Sequence, residues 1–381
     1  MGAIDRDYLV RTLADLVRIN SVNPSLVPDG PGEVEAARYV RTALEKFGAE
    51  IRVLESTPGR PSAVATLHGT GGGRSLMLNA HMDTVGIEGM PDALAPAIRD
   101  GRLFGRGAYD MKGSLAACLA TLKAIAEGPP LRGDIIVAAV ADEEYASLGT
   151  AEVVRAVPVD AAIVTEPTEL DLCIAHKGFV WVEVETLGKA AHGSRFFEGV
   201  DANMRMGRFL GLLEGLEANL RTRPPHSLVG PPSLHAALLR GGTEFSTYAA
   251  RSSLMIERRT VPGETEAGVL AEIEQLLDML RTDPSFKANA RAVLTRNAFE
   301  VAPDTAIVRA VHAAATRRGR APQFIGKPFW MDSAILADAG VETTVIGPIG
   351  SGAHTSEEWV DLDSLERLAS ILVEAAASYC G

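Results

Sequence analysis

The sequence is poor in cysteine and has no excess of positive charge. Its 381 residues include three cysteines, Cys118, Cys173 and Cys380, which lie far apart and form no C-x-x-C pair. We therefore expect neither a disulfide framework nor a structural zinc knuckle. Lysine and arginine together number 37 against 49 aspartates and glutamates, so the net charge is −12. Surfaces that bind nucleic acid or anionic membranes need clustered cations, and we expect neither kind of partner.

Long apolar runs and nucleotide-binding motifs are also missing. No run reaches the about 18 apolar residues of a membrane span, and Asp5, Arg6 and Asp7 stand where a signal peptide needs an apolar core. We expect a cytoplasmic protein. The absence of a strand–G-x-G-x-x-G–helix unit argues against a nicotinamide enzyme. The glycine-rich residues 69–73 lack a following Lys-Ser/Thr pair, so we predict a hairpin loop between two strands and no phosphate loop.

The order of predicted helices and strands divides the chain into three segments. Residues 1–177 alternate helices with apolar strands, and the near-continuous apolar run DIIVAAV is typical of a buried parallel strand. Residues 178–295 follow the order β-α-β-β-α-β of a ferredoxin-like domain. The helix–strand alternation returns in residues 296–381. We predict an α/β catalytic domain, made of a mixed sheet flanked by helices, that is interrupted by an inserted α+β domain.

One strand end carries two polar residues of chemical interest. In LMLNAHMDTV, residues 76–85, an apolar run leads into His81, and Asp83 follows two positions later. Taken alone, this pattern is more typical of a solvated strand end than of a metal site. The rest of the predicted sheet changes that balance, because strong ligand types end its other strands or lie in its loops. These residues are His81, Asp110, Glu143, Glu144, Glu166 and His354.

The position and the chemistry of these residues point to a metal centre. In parallel sheets, ligands bind outside the carboxyl ends of the strands, where these side chains are predicted to lie. A set of histidines and carboxylates without cysteine suits zinc, cobalt or manganese. It is too large for one catalytic zinc with an open position, but it suits two ions that share a bridging carboxylate.

Two further roles follow from spacing. One carboxylate must stay off the metal as general base, and the adjacent Glu143 and Glu144 can supply one ligand and one base. Asp83 is placed to accept the second ring N–H of His81 and so to orient the imidazole.

A set of motifs in fixed order resembles one enzyme family. The motifs are HMD, GRGAYDMKG, ADEEYASLGT, TEPT, GKAAHGS, ERRTVPGE and GAHTSEEW, and they extend over nearly the whole chain. They resemble the di-zinc family of acetylornithine deacetylase, succinyl-diaminopimelate desuccinylase, aminoacylase and glutamate carboxypeptidase. The resemblance implies a zinc-exopeptidase-like fold whose inserted domain is a lid and dimerisation domain, and a homodimer.

The resemblance also implies a role for each residue of the metal centre. It assigns five metal ligands: His81 and Glu166 to one ion, Glu144 and His354 to the other, and Asp110 to both. Glu143 is then the general base, and Asp83 orients a ligand. The implied reaction is attack of water on the amide of an N-acyl amino acid or a short peptide.

The inserted domain contributes further candidates by the same resemblance. His192 matches a family histidine that reaches the partner subunit's active site and steadies the oxyanion. The alternative interpretation is a histidine that is merely exposed in a turn. Arg259 matches an arginine that holds the substrate carboxylate, and a one-residue slip would select Arg258 instead. Ser246 stands where the family often has asparagine, and a hydroxyl offers one donor where an amide offers two.

Two other departures bear on the substrate. Met331 stands where the family frequently has a small polar residue. Together with Trp330 it favours either an apolar pocket lip or ordinary core packing. Ile349 replaces a usual glycine. The leading interpretation is an N-acyl-amino-acid deacylase, and a dipeptidase or carboxypeptidase using the same site is the alternative. A non-catalytic binding protein is disfavoured because no ligand and no base is lost.

Overall fold

The computed structural model describes residues 2–319 and 321–381. Its helices are α1 Arg6–Arg18, α2 Val34–Glu45, α3 Gly113–Ala126, α4 Leu148–Ala156, α5 Ala202–Thr222, α6 Glu266–Arg281, α7 Ala306–Arg317, α8 Ser333–Asp338 and α9 Leu362–Cys380. Its strands are β1 Glu50–Leu54, β2 Ser62–Leu67, β3 Leu76–His81, β4 Ala97–Arg99, β5 Arg102–Phe104, β6 Ile135–Val140, β7 Ala161–Val164, β8 Leu172–His176, β9 Gly178–Leu187, β10 Ser233–Gly241, β11 Arg251–Thr260, β12 Lys287–Arg296, β13 Phe299–Glu300, β14 Phe324–Lys327, β15 Glu342–Val345, β16 Gly350–Ser351 and β17 Trp359–Asp361.

The chain divides into two compact units. The first unit comprises Met1–Ile174, Val301–Ile325 and Met331–Gly381, and the second comprises Ala175–Glu300 and Gly326–Trp330. Among the residues that the structure describes, none of the helices combines the length and apolarity needed to cross a membrane.

The first unit is built on a mixed sheet with the strand order β1-β2-β6-β3-β7-β15-β8. Strands β6, β3, β7 and β15 run parallel to one another, whereas β1 with β2, β2 with β6 and β15 with β8 pair antiparallel. Every residue of β3, β6 and β7 is buried. Because successive side chains of a strand point to opposite faces, the centre of the sheet must be covered on both sides. The predicted α/β fold with a mixed sheet flanked by helices is confirmed.

The loop that contains residues 69–73 is not a hairpin. It joins β2 to β3, but these strands are not neighbours, because β6 lies between them and pairs with both. The loop is held instead by the segment before β6, where Thr70 N–H donates to the Leu131 carbonyl at 2.9 Å. Local sequence shows that a turn is needed, but it does not show which distant strand enters the gap.

The second unit has a four-stranded antiparallel sheet with the order β10-β11-β9-β12. Buried and half-buried residues alternate along β9 and β11, so each strand presents one face to the core. Residues of α5 and α6, including Phe209 and Ile273, pack with Val182 and Ile256 of the strands. The succession β9-α5-β10-β11-α6-β12 is the predicted ferredoxin-like arrangement.

Strand β11 of the second unit begins at Arg251, and the residues before it lie in a loop. These residues bond to another loop, since Tyr248 N–H donates to the Ala191 carbonyl at 3.0 Å and Gly193 N–H to the Ser246 carbonyl at 2.7 Å. These bonds satisfy the backbone without a neighbouring strand.

Candidate metal centre

Three neighbouring parallel strands deliver ligand-type side chains to one edge of the sheet. His81 is the last residue of β3, and β6 and β7 flank β3 on either side. Glu143 and Glu144 follow the end of β6, and Glu166 follows the end of β7. Asp110 comes from an irregular helical turn, residues 108–112, directly before α3. The parallel register therefore explains why residues far apart in sequence meet at this edge.

The polar side chains form two groups that share Asp110. In the first group, His81 Nε2 lies 3.2 Å from Asp110 Oδ1 and 3.6 Å from Glu166 Oε1. In the second, His354 Nε2 lies 3.3 Å from Asp110 Oδ2 and 3.0 Å from Glu144 Oε2. Within each group, one ligand atom per residue lies within 4.8 Å of the others. Asp110 thus turns one carboxylate oxygen toward each group, as a bridging ligand would.

The electrostatics of the site fit divalent cations. Burial, together with the charge of Asp110, raises the pKa of Glu144 to about 6. Burial and neighbouring carboxylates raise the pKa values of Glu143 and Glu166 well above their usual range. Glu144 Oε1 is buried and has no hydrogen-bond partner among the described residues. Concentrated negative charge and an unpaired buried oxygen are what two divalent ions would offset.

Both imidazoles hold protons strongly in the metal-free protein. Hydrogen bonds to Asp110 and Glu144 raise the pKa of His354 to about 10. Burial disfavours the charged ring of His81, but the hydrogen bond to Asp110 and the charge of Glu166 outweigh it and raise the pKa well above its usual value. Each proton occupies a nitrogen that a metal would take. The donor set therefore fits two divalent ions that compete with protons.

Glu143 lies beside the two groups and belongs to neither. Its Oε2 atom is 3.9 Å from His81 Nε2, and its side chain is largely buried. Glu144, the next residue, joins the second group through His354. The adjacent carboxylates therefore separate into one residue in ligand geometry and one residue next to it.

Asp83 supports the site in a different way from the sequence prediction. The second ring nitrogen of His81, Nδ1, lies 3.0 Å from the backbone carbonyl of Asp83 and 3.7 Å from its carboxylate. The carbonyl therefore accepts the ring N–H and orients the imidazole. The carboxylate accepts the backbone N–H groups of Glu143 and Glu144, both at 3.2 Å. Asp83 thus braces His81 through its main chain and the glutamate pair through its side chain.

Sequence reasoning missed Glu358, which holds the turn that carries Asp110. Its buried carboxylate accepts the backbone N–H groups of Gly107, Tyr109 and Asp110 at 2.9–3.0 Å. It also accepts a 2.7 Å hydrogen bond from Arg106 Nη1. The motif GAHTSEEW contains this residue, but two adjacent glutamates give no sign of which one is buried.

The second unit brings two of its three candidate residues together. His192 forms a backbone bridge with Thr247, the residue after Ser246, and the Ser246 carbonyl accepts the Gly193 N–H. The side chains of His192 and Ser246 are exposed. Near them, Ser194 Oγ lies 2.8 Å from His192 Nδ1.

The two adjacent arginines of β11 differ in solvent exposure and in their ion pairs. Arg258 is 1% exposed and pairs with Glu264 at 2.6 Å and with Glu272 at 3.2 Å. The Arg259 side chain is 31% exposed, pairs with Glu257 and lies 5.5 Å from the centre of the Phe179 ring. Arg258 is therefore buried in internal ion pairs, whereas the guanidinium of Arg259 remains partly open to solvent.

The adjacent residues Trp330 and Met331 have different surroundings. Met331 is 1% exposed, so ordinary core packing accounts for it. Trp330 is half-buried in the second unit, where its Nε1 atom donates to the Asn297 carbonyl at 3.1 Å and its ring stands edge-on to Phe179.

Comparison with known proteins identifies the family. Residues 77–378 match peptidase family M20/M25/M40. The chain is 31% identical to an acetylornithine deacetylase from Myxococcus xanthus, over 97% of both chains. Its fold is similar to that of the aminopeptidase PepT from Bacillus cereus, with a TM-score of 0.81, 18% identity and full coverage of both chains.

A second solved structure is also similar in fold. It is a dinuclear metal-binding peptidase of the M20 family from Bacillus subtilis, with a TM-score of 0.73, 16% identity, and coverage of 98% of this chain and 97% of that one. The family match, the similarity along the whole chain and the clustered ligand set agree with one another. The chain belongs to peptidase family M20/M25/M40 and is a metal-dependent amide hydrolase.

Proposed function

We propose that the protein is an N-acyl-amino-acid deacylase that works with two zinc ions. The observation that carries this proposal is the pair of ligand groups that share Asp110, with Glu143 next to them but outside both. The similarity to an acetylornithine deacetylase along the whole chain supports deacylation over peptide cleavage. The solved peptidases support the fold alone, because their identity to this chain is below 20%.

The proposed ligands follow from the two groups. His81, Asp110 and Glu166 would hold one ion, and Asp110, Glu144 and His354 the other. When bound, two such ions polarise the scissile carbonyl and lower the pKa of water. Nitrogen and oxygen donors without cysteine favour zinc, and cobalt or manganese would suit the same donors.

Glu143 is proposed as the general base. A carboxylate at the edge of the site can take a proton from the attacking water and return it to the nitrogen of the leaving amine. Burial and the charge of Glu166 raise the pKa of Glu143 well above its usual range, which makes it a stronger proton acceptor. Asp83 holds the backbone N–H of Glu143, so the base is fixed relative to the adjacent ligand Glu144.

A cavity beside His354 offers room for the substrate. Its volume is about 520 Å³, and it is lined by residues 20, 22, 27–31 and 85–88, by Arg106 and by residues 354–356. This volume lies within the range of roughly 300–1,000 Å³ that small-molecule sites occupy. We assign this cavity to one part of an N-acyl amino acid.

The inserted domain is proposed to supply the remaining substrate contacts. Arg259 would bind the substrate carboxylate, since its guanidinium is partly exposed and Arg258 is not available. By the family resemblance, His192 would steady the oxyanion in the partner subunit's active site. Ser246, in place of the usual asparagine, would offer its single hydroxyl donor to the oxyanion or to the substrate carboxylate.

We propose that the inserted domain also dimerises. Strand β10 is the edge of its sheet, and Leu238 and Leu239 on it are 55% and 56% exposed. An unpaired edge strand with exposed apolar side chains is a natural surface for pairing with a second copy. Sedimentation of the purified protein tests this, and a monomer at micromolar concentration contradicts it.

A substrate panel on metal-loaded protein tests the function. The protein is stripped of metal, reloaded with zinc, cobalt or manganese, and assayed on N-acetyl, N-succinyl and long-acyl amino acids and on dipeptides. We expect turnover of N-acyl amino acids at two ions per chain. If only dipeptides are cleaved, the protein is an exopeptidase, and full activity with one ion contradicts the two-ion proposal.

A further inference from the structure

A buried polar network lies directly behind the glutamate pair of the metal centre. Its five side chains are all 8% exposed or less: Asn23, Glu33, Arg60, Asp83 and Asp142. Asp83 closes the network on the side of the metal centre, because its carboxylate accepts the N–H groups of residues 143 and 144.

Asn23 connects the two aspartates of the network. Its Nδ2 atom donates to Asp83 Oδ2 at 2.7 Å and to Asp142 Oδ1 at 3.1 Å. Its own amide oxygen accepts the Ser25 N–H at 2.9 Å, which fixes the orientation of the amide. One side chain therefore ties the brace of the glutamate pair to the residue immediately before that pair.

Arg60 holds the other end of the network. It forms a two-pronged pair with Glu33, at 2.7 Å for both bonds, and its Nη2 atom lies 2.8 Å from Asp142 Oδ1. Glu33 Oε1 in turn accepts the backbone N–H of Asp142 at 3.2 Å. Asp142 is thus gripped through both its side chain and its main chain.

The network is a costly way to stabilise a fold. It buries one cation among three carboxylates, and buried ionic groups are often replaceable by apolar residues without loss of stability. Asp142 also has a φ of 69°, in the left-handed region that aspartate tolerates better than most residues other than glycine. This conformation turns the chain directly before Glu143, and a buried network that holds the turn sets the direction of the segment that follows.

We propose that Asn23 and Arg60 are positioning residues for the Glu143–Glu144 pair. Acting through Asp83 and Asp142, they fix the backbone of residues 142–144, so that Glu143 faces the attacking water and Glu144 faces its metal ion. The inference rests on the proposed roles of these two glutamates.

The two ion sites should respond differently to loss of the network. The site of Asp110, Glu144 and His354 contains a residue of the positioned segment, whereas the site of His81, Asp110 and Glu166 contains none. Asn23→Ala and Arg60→Met should therefore weaken binding of the ion at the site of Glu144 more than at the site of His81, where Asp83 contacts His81 only through its backbone carbonyl. A merely structural role would weaken both alike.

The experiment combines zinc titration of metal-free protein with steady-state kinetics. Loss of a residue that supports a metal ligand typically lowers metal affinity or activity by roughly 10–100-fold. We call the ion at the site of Asp110, Glu144 and His354 the second ion, and we expect its affinity and kcat each to fall by about 10–100-fold. KM should change little, because the network does not touch the substrate. Arg60→Lys should recover only part of the loss, since lysine keeps the charge but not the two-pronged geometry.

A matched control and a milder variant keep the test decisive. Arg205 in the second unit is also 8% exposed and donates to the Leu187 carbonyl, so Arg205→Met removes an equally buried arginine away from this network. Asn23→Ser keeps a donor if Asn23→Ala does not fold, and thermal melting identifies folded variants. The proposal is overturned if a folded network variant keeps kcat and second-ion affinity within twofold, or if both ions weaken alike.

A parallel variant separates this inference from the proposed function. If Glu143→Gln retains full turnover, the proposed role of the base is wrong. If Glu143→Gln is inactive while the network variants behave as wild type, only the positioning role is wrong.

Discussion

Oε2 of Glu143 lies 3.9 Å from Nε2 of His81, near the nitrogen of a proposed metal ligand but beyond hydrogen-bond distance. Glu144, one residue further, lies 3.0 Å from the imidazole of His354. Two chemically identical neighbours therefore differ only in their surroundings, and we expect them to have different roles.

Replacing Glu143 by glutamine should remove turnover and spare metal binding. The amide keeps the shape of the side chain but cannot accept a proton from water, so we expect kcat to fall by about 10²–10⁴-fold. Glu144→Gln is the matched variant, and it should lose one ion per chain. Metal content by mass spectrometry and initial rates on one N-acyl amino acid distinguish the two. Equal loss of metal in both variants would contradict the separation of roles.

Zinc binding should release protons near neutral pH. Hydrogen bonds to Asp110 and Glu144 raise the pKa of His354 to about 10, so this ring is protonated in metal-free protein at pH 7. The pKa values of His81 and of Glu166 are also raised well above their usual values. A metal displaces the protons on its ligands, and we expect at least one to be released per chain. Calorimetry in buffers of different ionisation enthalpy measures the number. Binding without proton release would exclude His354 as a ligand.

The same shifts predict how the stability of metal-free protein depends on pH. A histidine whose pKa is raised on folding stabilises the fold fully below its unfolded pKa, near 6.5. That contribution is lost as the pH rises through the folded value, which is about 10 for His354. Melting temperatures of metal-free protein should therefore fall across this window. Zinc-loaded protein is the control, and it should lose less because the imidazoles are already deprotonated.

Much of the fold could be read from sequence because the signals are periodic. Apolar runs mark β3, β6 and β7 as strands, and the positions of their ends predict that His81, Glu144 and Glu166 lie at one edge of the sheet. Hydrophobic periodicity does not show which strands pair with each other in the sheet. The loop at residues 69–73 therefore read as a hairpin although β6 lies between the strands that it joins.

The supporting residues of the site could not be found in the same way. Arg60 and Asn23 precede the segment that they hold by more than 80 residues, and no local spacing links them to it. Asp83 was identified because it lies two residues after His81. Only the structure shows that its carbonyl contacts the His81 ring, whereas its carboxylate accepts the backbone N–H of Glu144. Long-range hydrogen bonds are properties of the folded chain.

Arg258 and Arg259 should have separable effects. Arg258→Met removes the charged hydrogen bonds to Glu264 and Glu272 and leaves Arg223 as the remaining cation beside these carboxylates, so we expect a loss of about 1–3 kcal/mol in the free energy of unfolding. Arg259→Met should leave stability nearly unchanged. If Arg259 binds the substrate carboxylate, KM should rise roughly 30-fold, equivalent to about 2 kcal/mol.

An uncharged substrate provides the control for Arg259. An N-acyl amino amide lacks the carboxylate, so wild type and Arg259→Met should cleave it with the same KM. An increase in KM for both substrates would show that the arginine acts on something other than the carboxylate.

Glu358 should support both ions although it is expected to touch neither. Its carboxylate accepts the N–H of Asp110, the residue common to the two ligand groups, and those of Gly107 and Tyr109. In Glu358→Gln, the amide NH₂ would face backbone donors, and each unsatisfied buried group costs about 1–3 kcal/mol. We expect a lower melting temperature and weaker binding of both ions, in contrast to the unequal effect on the two ions expected for Asn23 and Arg60. The neighbouring Glu357 is exposed, so Glu357→Gln should change neither quantity. Selective loss of a single ion in Glu358→Gln would show that the turn does not set the position of Asp110.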